Sequence, residues 1–456
     1  MRHEIFTNGA TGTVAIGDLL GAFSYALDLT EGQPAGHSIR CAYIAGRIAD
    51  RLGLDSVDRG HCHMTALMKD LGCSSNAARI AELYLADDRE FKQRWKTIPT
   101  GLPSTLRFVF GETGKGARFG QKIGAIANIL RNGDEVAQEM IVSRCTRGAN
   151  VARDLQLDDT VARGIYHLDE HWDGSGRPDG LAGTAIPLAS RVALLAQIAD
   201  VFHQAGGRDA ARMEVVRRMG GWLDPELVLV FRGLAGETDF WRDLESPLVD
   251  AIVNARAPRD LVAVDEDYLD AVTAAFGRVV DAKSPYTAGH STRVADFAEG
   301  LARKLDVPEG RVRQLRRAAA LHDIGKLGVS SAVLEKPGKL DDGEWGEMRE
   351  HAAHTARILG RIGPFAEMAE IASAHHERLD GAGYPLGLRD TQIRRETRII
   401  TTCDFYDALT ADRPYRGAMP VEKALGIMAG EVGKAVDPEC FAALRELVAS
   451  DEKLAA

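Results

Sequence analysis

The sequence predicts an all-α protein that contains two related helical units. Apolar residues recur mostly at intervals of three and four, the spacing of one face of an α-helix, and signals for β-strands are few. Alanine-rich runs favour helix, whereas the segments that contain glycine and proline together are predicted loops. With 456 residues, the chain is too long for one typical hydrophobic core, which indicates at least two domains.

The second half of the chain repeats motifs of the first half in the same order. The matching segments, first copy before second, are 36–40 and 289–293, 69–72 and 322–325, 173–178 and 380–385, and 223–226 and 436–439. The offset between the copies is 253 residues at the first two matches and 207 at the third. The sequence therefore predicts a tandem duplication, with domains at 1–257 and 264–456 and an insertion at about 74–130.

Composition narrows the classes of partner. The net charge is −10, which argues against a polymeric nucleic acid but leaves room for a small phosphorylated ligand. No stretch is apolar for the roughly 18 residues of a membrane span, and the first twenty residues do not resemble a signal peptide. The six cysteines form no CxxC pair, as is typical of reduced thiols. We therefore expect a cytoplasmic protein with no membrane partner.

Histidine and aspartate are concentrated in the second copy. Six of the 13 histidines lie between residues 290 and 376, Asp323 directly follows one of them, and Asp404 comes later. Imidazole and carboxylate together suit a divalent metal such as Fe, Mn, Ni or Zn. Leaving His354 as an ordinary helix residue, the remaining side chains exceed what one tetrahedral ion uses. They indicate two ions that share a bridging carboxylate.

The order and spacing of these residues resemble a known family. The motifs are Gly289-His290-Ser291, His322-Asp323-Ile324-Gly325-Lys326, Glu350-His351, His375-His376-Glu377, Asp380-Gly381-Ala382-Gly383-Tyr384-Pro385 and Asp404-Phe405-Tyr406-Asp407. Over about 265–448 this series resembles the HD-GYP domain. The resemblance implies two tandem HD-domain helical bundles, the second of HD-GYP type. It also implies a two-metal phosphodiesterase for a cyclic dinucleotide, with cyclic di-GMP as the leading substrate.

The same resemblance implies a role for each ligand. One ion would be held by His290, His322, Asp323 and Asp404, and the other by His351, His375 and His376, with Asp323 as the bridge. Asp407 is expected to contact the metal ligands without binding an ion itself. Some members hold a third ion through a glutamate four residues before the first histidine. Because Tyr286 stands there, we predict two ions, iron or manganese, which would activate water for attack on phosphorus.

Four further residues are predicted to contact the substrate. Lys326 lies one helical turn from Asp323, so it can reach a phosphate oxygen or protonate the leaving oxygen. Arg413 and Arg416 carry guanidinium groups, whose fork suits a phosphodiester. By the resemblance, both contact phosphates, and Tyr384 would offer its ring face to guanine. Asp323 and Lys326 are the predicted catalytic pair.

The first copy has lost most of the corresponding ligands. Transferred position by position, His290 becomes His37, Asp323 becomes Asp70 and Asp404 becomes Asp200, whereas His322 becomes Lys69, His351 becomes Arg144, His375-His376 becomes Leu168-Asp169, Lys326 becomes Cys73 and Tyr384 becomes Arg177. Charged Lys69 and Arg144 cannot bind a metal. We expect them to neutralise Asp70 and Asp200 instead, and the first copy to regulate the second or to mediate contact with a second chain or a signalling partner.

Other interpretations remain open at this level. An HD-type diiron oxygenase would use the same kind of ligands, and a non-enzymatic protein could sense a dinucleotide through the first copy. A relocated metal site in the first copy could use His167 and His171. The motifs do not separate cyclic di-GMP from mixed guanine–adenine cyclic dinucleotides, nor a linear dinucleotide product from mononucleotides.

Overall fold

The described part of the protein is all-α, as the sequence predicts. A computed structural model describes residues 16–99, 101–115, 118–256, 264–412 and 417–455. Within these ranges the chain forms α-helices and short 3₁₀ helices. The only β-type pairing found there is two isolated bridges, Met219 with Leu223 and Val432 with Val436.

The α-helices are numbered here in chain order. They are α1 Ile16–Thr30, α2 His37–Arg51, α3 Ser56–Met68, α4 Ala77–Tyr84, α5 Asp88–Trp95, α6 Leu102–Glu112, α7 Phe119–Asp154, α8 Asp159–Tyr166, α9 Leu188–Arg217, α10 Pro225–Leu234, α11 Thr238–Leu244, α12 Val249–Arg256, α13 Glu266–Asp281, α14 His290–Lys304, α15 Glu309–Leu321, α16 Ser331–Leu334, α17 Asp342–Leu359, α18 Ala366–Ser373, α19 Arg395–Thr410, α20 Val421–Ala429 and α21 Pro438–Ala455. The 3₁₀ helices are Cys73–Asn76, Gly183–Ala185, Pro285–Thr287, Ile324–Gly328, Gly363–Phe365 and Asp390–Gln392.

Corresponding motifs lie on corresponding helices in the two copies. Gly36 and Gly289 precede α2 and α14 with φ values of 82° and 71°, a conformation that residues with a Cβ rarely adopt. Each glycine therefore places the following histidine, His37 or His290, as the first residue of its helix. In the first copy, α4, α5, α6 and the start of α7 lie between the 3₁₀ helix Cys73–Asn76 and the position of Arg144 on α7. In the second copy, only α16 lies between the corresponding 3₁₀ helix Ile324–Gly328 and α17, which carries His351.

The two copies share one continuous hydrophobic core. Helix α1 of the first copy packs against α17 and the 3₁₀ helix Ile324–Gly328 of the second copy. Helix α13 of the second copy packs against α7 of the first copy. The Phe23 and Phe276 rings stack with their centroids 4.0 Å apart. At the other contact, the Tyr268 hydroxyl donates to the Leu155 carbonyl at 3.2 Å. Burial of these large side chains holds the first copy directly behind the second copy's motif segments.

Two further expectations bear on the chain as a whole. All six cysteines are free and buried, in agreement with the reduced thiols predicted from their spacing. Among the residues that the structure describes, no helix combines the length and apolarity that a membrane crossing requires.

Candidate metal centre

The structure brings the seven predicted ligands of the second copy together in two groups. His290 begins α14, His322 and Asp323 follow the end of α15, His351 lies on α17, and Asp404 lies on α19. One group contains His290, His322 and Asp404, and the other contains Asp323, His351, His375 and His376. Within each group the possible ligand atoms lie within 4.8 Å of one another. The resemblance assigns Asp323 to both ions, and in the structure Asp323 groups with His351, His375 and His376.

Asp323 lies between the two groups, and its two oxygens face different histidines. Oδ2 is 3.5 Å from Nε2 of His290 and 3.3 Å from Nε2 of His322. Oδ1 is 3.6 Å from Nε2 of both His351 and His375. A carboxylate that presents one oxygen to each of two ligand sets is the arrangement that a bridging ligand of a metal pair needs.

Hydrogen bonds from Nδ1 to backbone carbonyls fix the tautomers of three imidazoles. Nδ1 of His322 donates to the Ala319 carbonyl at 2.6 Å, and Nδ1 of His375 donates to the Ala372 carbonyl at 2.7 Å. His351 makes the same bond to the Met348 carbonyl. Because a carbonyl can only accept, each Nε2 keeps its lone pair for the interior of the site.

Buried atoms in this centre lack hydrogen-bond partners. They are Nε2 of His290, His322, His351 and His375, and Oδ1 of Asp323. Leaving several buried polar atoms unpaired is costly and uncommon in folded proteins. Lone pairs that converge on a common space are satisfied at once by divalent cations, so the residues present fit a pair of such ions.

Burial and charge also set the protonation states. Burial lowers the pKa of His351 to about 4 and that of His375 to about 3, which leaves both imidazoles neutral near pH 7. Burial alone would raise the pKa of Asp323, but Lys326 and His322 outweigh it and hold that pKa well below its usual range. Neutral His351 and His375 and an ionised Asp323 are the forms that bind metal. Burial would lower the pKa of His290, but Asp323 and Asp407 raise it to about 9, so metal binding there displaces a proton.

Asp407 contacts two residues of α14, His290 and Arg293. Oδ2 of Asp407 lies 2.7 Å from Nδ1 of His290, and Oδ1 accepts from Nε of Arg293 at 2.6 Å. Burial would raise the pKa of Asp407, but His290 and Arg293 lower it to about 2. The ionised carboxylate therefore orients the ring and directs its Nε2 toward Asp323.

Asp407→Asn is expected to weaken metal binding by about 10–100-fold, the range typical for a residue that orients a ligand. The amide keeps the shape but loses the charge that pairs with Arg293. Metal titration followed by elemental analysis measures the change. Asp437→Asn is the matched control, because Asp437 pairs with Arg398 at 2.9 Å in the same copy but contacts no predicted ligand. Equal metal affinity in the two variants would contradict the assigned role.

Two of the predicted substrate-contacting residues lie at the centre. Lys326 forms an ion pair with Oδ2 of Asp323 through its ammonium group. The Tyr384 ring centroid is 4.8 Å from that of His376 and 6.2 Å from that of His351. Arg413 and Arg416 lie outside the described residues, so their contact with phosphate stays a prediction.

In the first copy, ammonium groups neutralise the carboxylates in the region that corresponds to the candidate metal centre. Lys69 and Asp70 form an ion pair whose side chains are both fully buried. From the inserted helix α5 and the residue after it, Lys92 and Lys96 approach Glu31 at 3.3 and 2.7 Å. Lys69 was expected in this role, but the two lysines from the insertion were not. Three positive charges therefore surround the two carboxylates that would otherwise be free to bind cations.

The transfer of Asp404 onto Asp200 was wrong. Asp200 lies 2.7 Å from Nδ1 of His37 and accepts from Nε of Arg40 at 2.6 Å, which are the contacts that Asp407 makes in the second copy. At the 207-residue offset of this region, Asp200 corresponds to Asp407, and Gln197 occupies the position of Asp404. Asp200 is thus a remnant of the supporting residue, and the first copy has lost this ligand too.

The expected role of Arg144 also needs correction. Its guanidinium group pairs with Asp169, the residue at the position of His376, and Asp200 is neutralised by Arg40 instead. The reason is local, because Arg144 and Asp169 replace two ligands of the same group and therefore face each other.

A relocated site that uses both His167 and His171 does not form among the described residues. His167 groups with Glu170 and Asp179. His171 instead stacks on Trp222, with ring centroids 4.2 Å apart. Both carboxylate oxygens of Glu170 accept backbone N–H groups, from Asp179 and Leu181, so Glu170 anchors its loop.

The ion pairs of Glu31 with Lys92 and Lys96 are expected to stabilise the folded protein to an extent that depends on pH. Burial would raise the pKa of Glu31, but Lys96 and Lys92 lower it from 4.5 to about 2. A carboxyl group whose pKa is lower in the folded than in the unfolded state stabilises the folded protein. This stabilisation is complete at pH values above the unfolded-state pKa and is lost as the pH falls toward the folded-state pKa. Glu31→Gln is therefore expected to destabilise the protein above about pH 4.5 and progressively less toward pH 2. Denaturant unfolding across this range measures the difference, and a constant difference would contradict the assignment.

The family follows from the fold and the site together with the sequence comparisons. A family model described as an HD domain matches residues 114–227 and 275–440, one segment in each copy. The chain belongs to the HD domain family, and its second copy carries the HD-GYP motifs described above.

Individual relatives are cyclic dinucleotide phosphodiesterases. The chain is 48% identical over 438 residues to 3′3′-cGAMP-specific phosphodiesterase 3 of Vibrio cholerae serotype O1, a match that covers 96% of this chain and 95% of the relative. A cyclic di-GMP phosphodiesterase of Pseudomonas aeruginosa is 41% identical over 164 residues, which covers 36% of this chain and 39% of the relative. A crystal structure of a cyclic GMP-AMP-specific phosphodiesterase of V. cholerae matches with a TM-score of 0.66 and 44% identity, covering 96% of this chain and 98% of that one.

Proposed function

We propose that the protein is a metal-dependent phosphodiesterase that hydrolyses a cyclic dinucleotide at the second copy, with 3′3′-cGAMP as its preferred substrate. The observation that carries the hydrolase proposal is the pair of ligand groups on either side of Asp323, with four partnerless Nε2 atoms. Support for the substrate comes from the relative that matches over the whole chain, which is named for 3′3′-cGAMP. Cyclic di-GMP, the substrate predicted from the motifs, appears in the names of relatives that match only part of the chain.

His290, His322 and Asp404 would hold one divalent ion, His351, His375 and His376 the other, and Asp323 would contact both. Such a pair supplies activated water and neutralises charge that develops on the phosphate oxygens. The identity of the ions, iron or manganese, stays part of the proposal.

Residues beside the ligands act on the substrate. The Lys326 ammonium lies against Asp323 with its side chain 18% exposed, so its N–H groups can donate to a phosphate oxygen or to the departing ribose oxygen. Tyr384 presents a ring next to His376, where a nucleobase could stack. The Arg349 guanidinium carbon is 5.6 Å from the centre of the same ring and adds a cation at this edge of the site.

Hydrolysis assays with defined substrates test the proposal. Protein loaded anaerobically with Fe(II) or Mn(II) is expected to cleave 3′3′-cGAMP with kcat/KM at least about tenfold above that for cyclic di-GMP, the equivalent of roughly 1.4 kcal/mol. Chromatography identifies the products as linear dinucleotide or mononucleotides. The control is His322→Ala/Asp323→Ala, which removes a ligand from each group.

The possible outcomes separate the parts of the proposal. Equal or faster cleavage of cyclic di-GMP would contradict the substrate preference alone. No cleavage of either substrate by protein with two bound ions per chain would contradict phosphodiesterase activity. In that case, dioxygen consumption would favour the oxygenase interpretation, and ligand binding without turnover would favour a sensor.

A further inference from the structure

The segment that carries Lys326 is held by the first copy. Directly after Asp323, residues Ile324–Gly328 form a 3₁₀ helix, and α16 begins at Ser331. Lys326 lies within this turn. Because a 3₁₀ turn is short and contains few hydrogen bonds of its own, its position depends on the groups packed around it.

Two adjacent residues of the inserted helix α5 bind the end of this turn. Arg89 donates from Nη1 to the Gly328 carbonyl, and Oδ1 of Asp88 accepts from the Ser331 backbone N–H at 2.8 Å. Asp88 and Ser331 are both fully buried. Backbone groups on both sides of residues 329–330 are therefore satisfied by side chains from the other copy, more than 230 positions away in the sequence.

Arg89 also links the turn to a ligand-bearing helix. Its Nη2 lies 2.6 Å from Oε1 of Glu347 on α17, and the same oxygen accepts from the Ser330 N–H at 2.7 Å. Helix α17 carries His351 one turn further along. The Arg89 guanidinium group thus links the Lys326 turn to the helix of a predicted metal ligand, in addition to Thr355 of the same helix, whose hydroxyl accepts from the Gly325 N–H at 3.0 Å.

The other side of α5 is fixed in the degenerate site. Lys92, four residues after Asp88, donates to the Thr30 and Cys73 carbonyls at 3.2 and 3.1 Å, and with Lys96 it approaches Glu31. A Cβ at Gly32 would lie 2.6 Å from the Arg89 carbonyl oxygen, so α5 also lies in close contact with the segment after α1. Lys92 and Lys96 therefore attach α5 to the rest of the first copy, and Asp88 and Arg89 of the same helix contact the second copy.

We propose that Asp88 and Arg89, at the start of the inserted helix α5, are positioning residues for Lys326 in the second copy's active site. The inference rests on the proposed function for its catalytic consequence. Neither residue touches the predicted ligands or substrate-contacting residues. Both act through the turn that carries Lys326.

Kinetics of Arg89 variants test the inference. Arg89→Ala is expected to lower kcat by about 10–100-fold, the effect of a small misplacement of a catalytic group, with KM and the content of two ions little changed. Arg89→Lys restores one of the two contacts and part of kcat. Arg94→Ala is the matched control, because Arg94 lies on the same helix but pairs with Glu90 and Glu112. A kcat for Arg89→Ala equal to that of the control would overturn the inference.

A double-mutant cycle separates positioning from general loss of structure. If Arg89 acts through Lys326, Arg89→Ala should have almost no further effect on kcat in a Lys326→Ala background. An equal fold-loss in both backgrounds would show that Arg89 stabilises the fold without positioning Lys326, and would overturn the inference. Single-turnover measurements allow the comparison at low rates.

Hydrogen exchange gives a measurement that is independent of substrate. The Ser331 amide is expected to be protected in the native protein and to lose at least about tenfold of its protection in Asp88→Ala. Unchanged protection would overturn the inference even if no substrate is turned over. Lost protection in a protein that cleaves no cyclic dinucleotide would contradict the proposed function and leave the contact between the copies established.

Discussion

Asp323→Asn is expected to lower kcat for cyclic dinucleotide hydrolysis by at least about 10³-fold and to prevent binding of two ions. Oδ1 and Oδ2 of Asp323 face different histidine pairs, so one substitution removes a ligand from both groups. A metal pair contributes several kcal/mol to stabilisation of the transition state, and about 4 kcal/mol corresponds to 10³-fold in rate.

Elemental analysis and rate measurements on the same sample check this prediction. Glu350→Gln is the control, because Glu350 directly precedes His351 but its side chain is 68% exposed. It should keep both ions and full activity. Two tightly bound ions in Asp323→Asn would refute the bridging role even if the activity were lost, because the metal readout does not depend on which substrate the protein uses.

Asp70→Asn is expected to lower the free energy of unfolding by about 3–5 kcal/mol, the typical cost of leaving a buried charge without its partner. Lys69 and Asp70 are fully buried. Burial would raise the pKa of Asp70, but Lys69 and Lys96 outweigh it and hold the pKa far below its usual range. The pair is therefore ionised, and removal of the carboxylate leaves the buried Lys69 ammonium without its ion-pair partner.

Replacing both partners should cost much less. Lys69→Met/Asp70→Asn removes the charge together with its counter-charge, and we expect it to recover most of the lost stability. Denaturant unfolding compares the single and double variants. Arg79→Ala is the control, because the Arg79–Glu82 pair is exposed and should contribute no more than about 1 kcal/mol. A double variant as unstable as Asp70→Asn would show that Asp70 stabilises by contacts other than the ion pair.

The two copies balance the same kind of carboxylate in different ways. In the second copy, Asp323 faces four histidines whose Nε2 atoms make no hydrogen bond, and their lone pairs remain available for ions. In the first copy, Lys69 reaches Asp70 directly, and Lys92 and Lys96 fill the space beside Glu31. In the first copy, ammonium groups thus occupy the region that corresponds to the predicted metal ligands of the second copy, and the inserted helix connects this region to the Lys326 turn.

The sequence alone predicted the fold class, the duplication and the seven residues that the structure brings together in two groups. This was possible because histidine and aspartate at fixed motif spacing are rare by chance and because helix periodicity is local. The sequence also showed that Lys69 replaces a ligand. It did not identify the support that Arg293 gives to Asp407, although the spacing of three residues from His290 placed both side chains on one side of α14.

Only the tertiary structure decided how the copies depend on each other. It brought Asp88 and Arg89 of the inserted helix to a turn in the other copy, whereas the 207-residue offset in the sequence already aligned Asp200 with Asp407. The inserted helix has no counterpart in the second copy from which its contacts could have been inferred. Contacts between residues more than 200 positions apart are set by packing of the shared core, and no local pattern in the sequence encodes them.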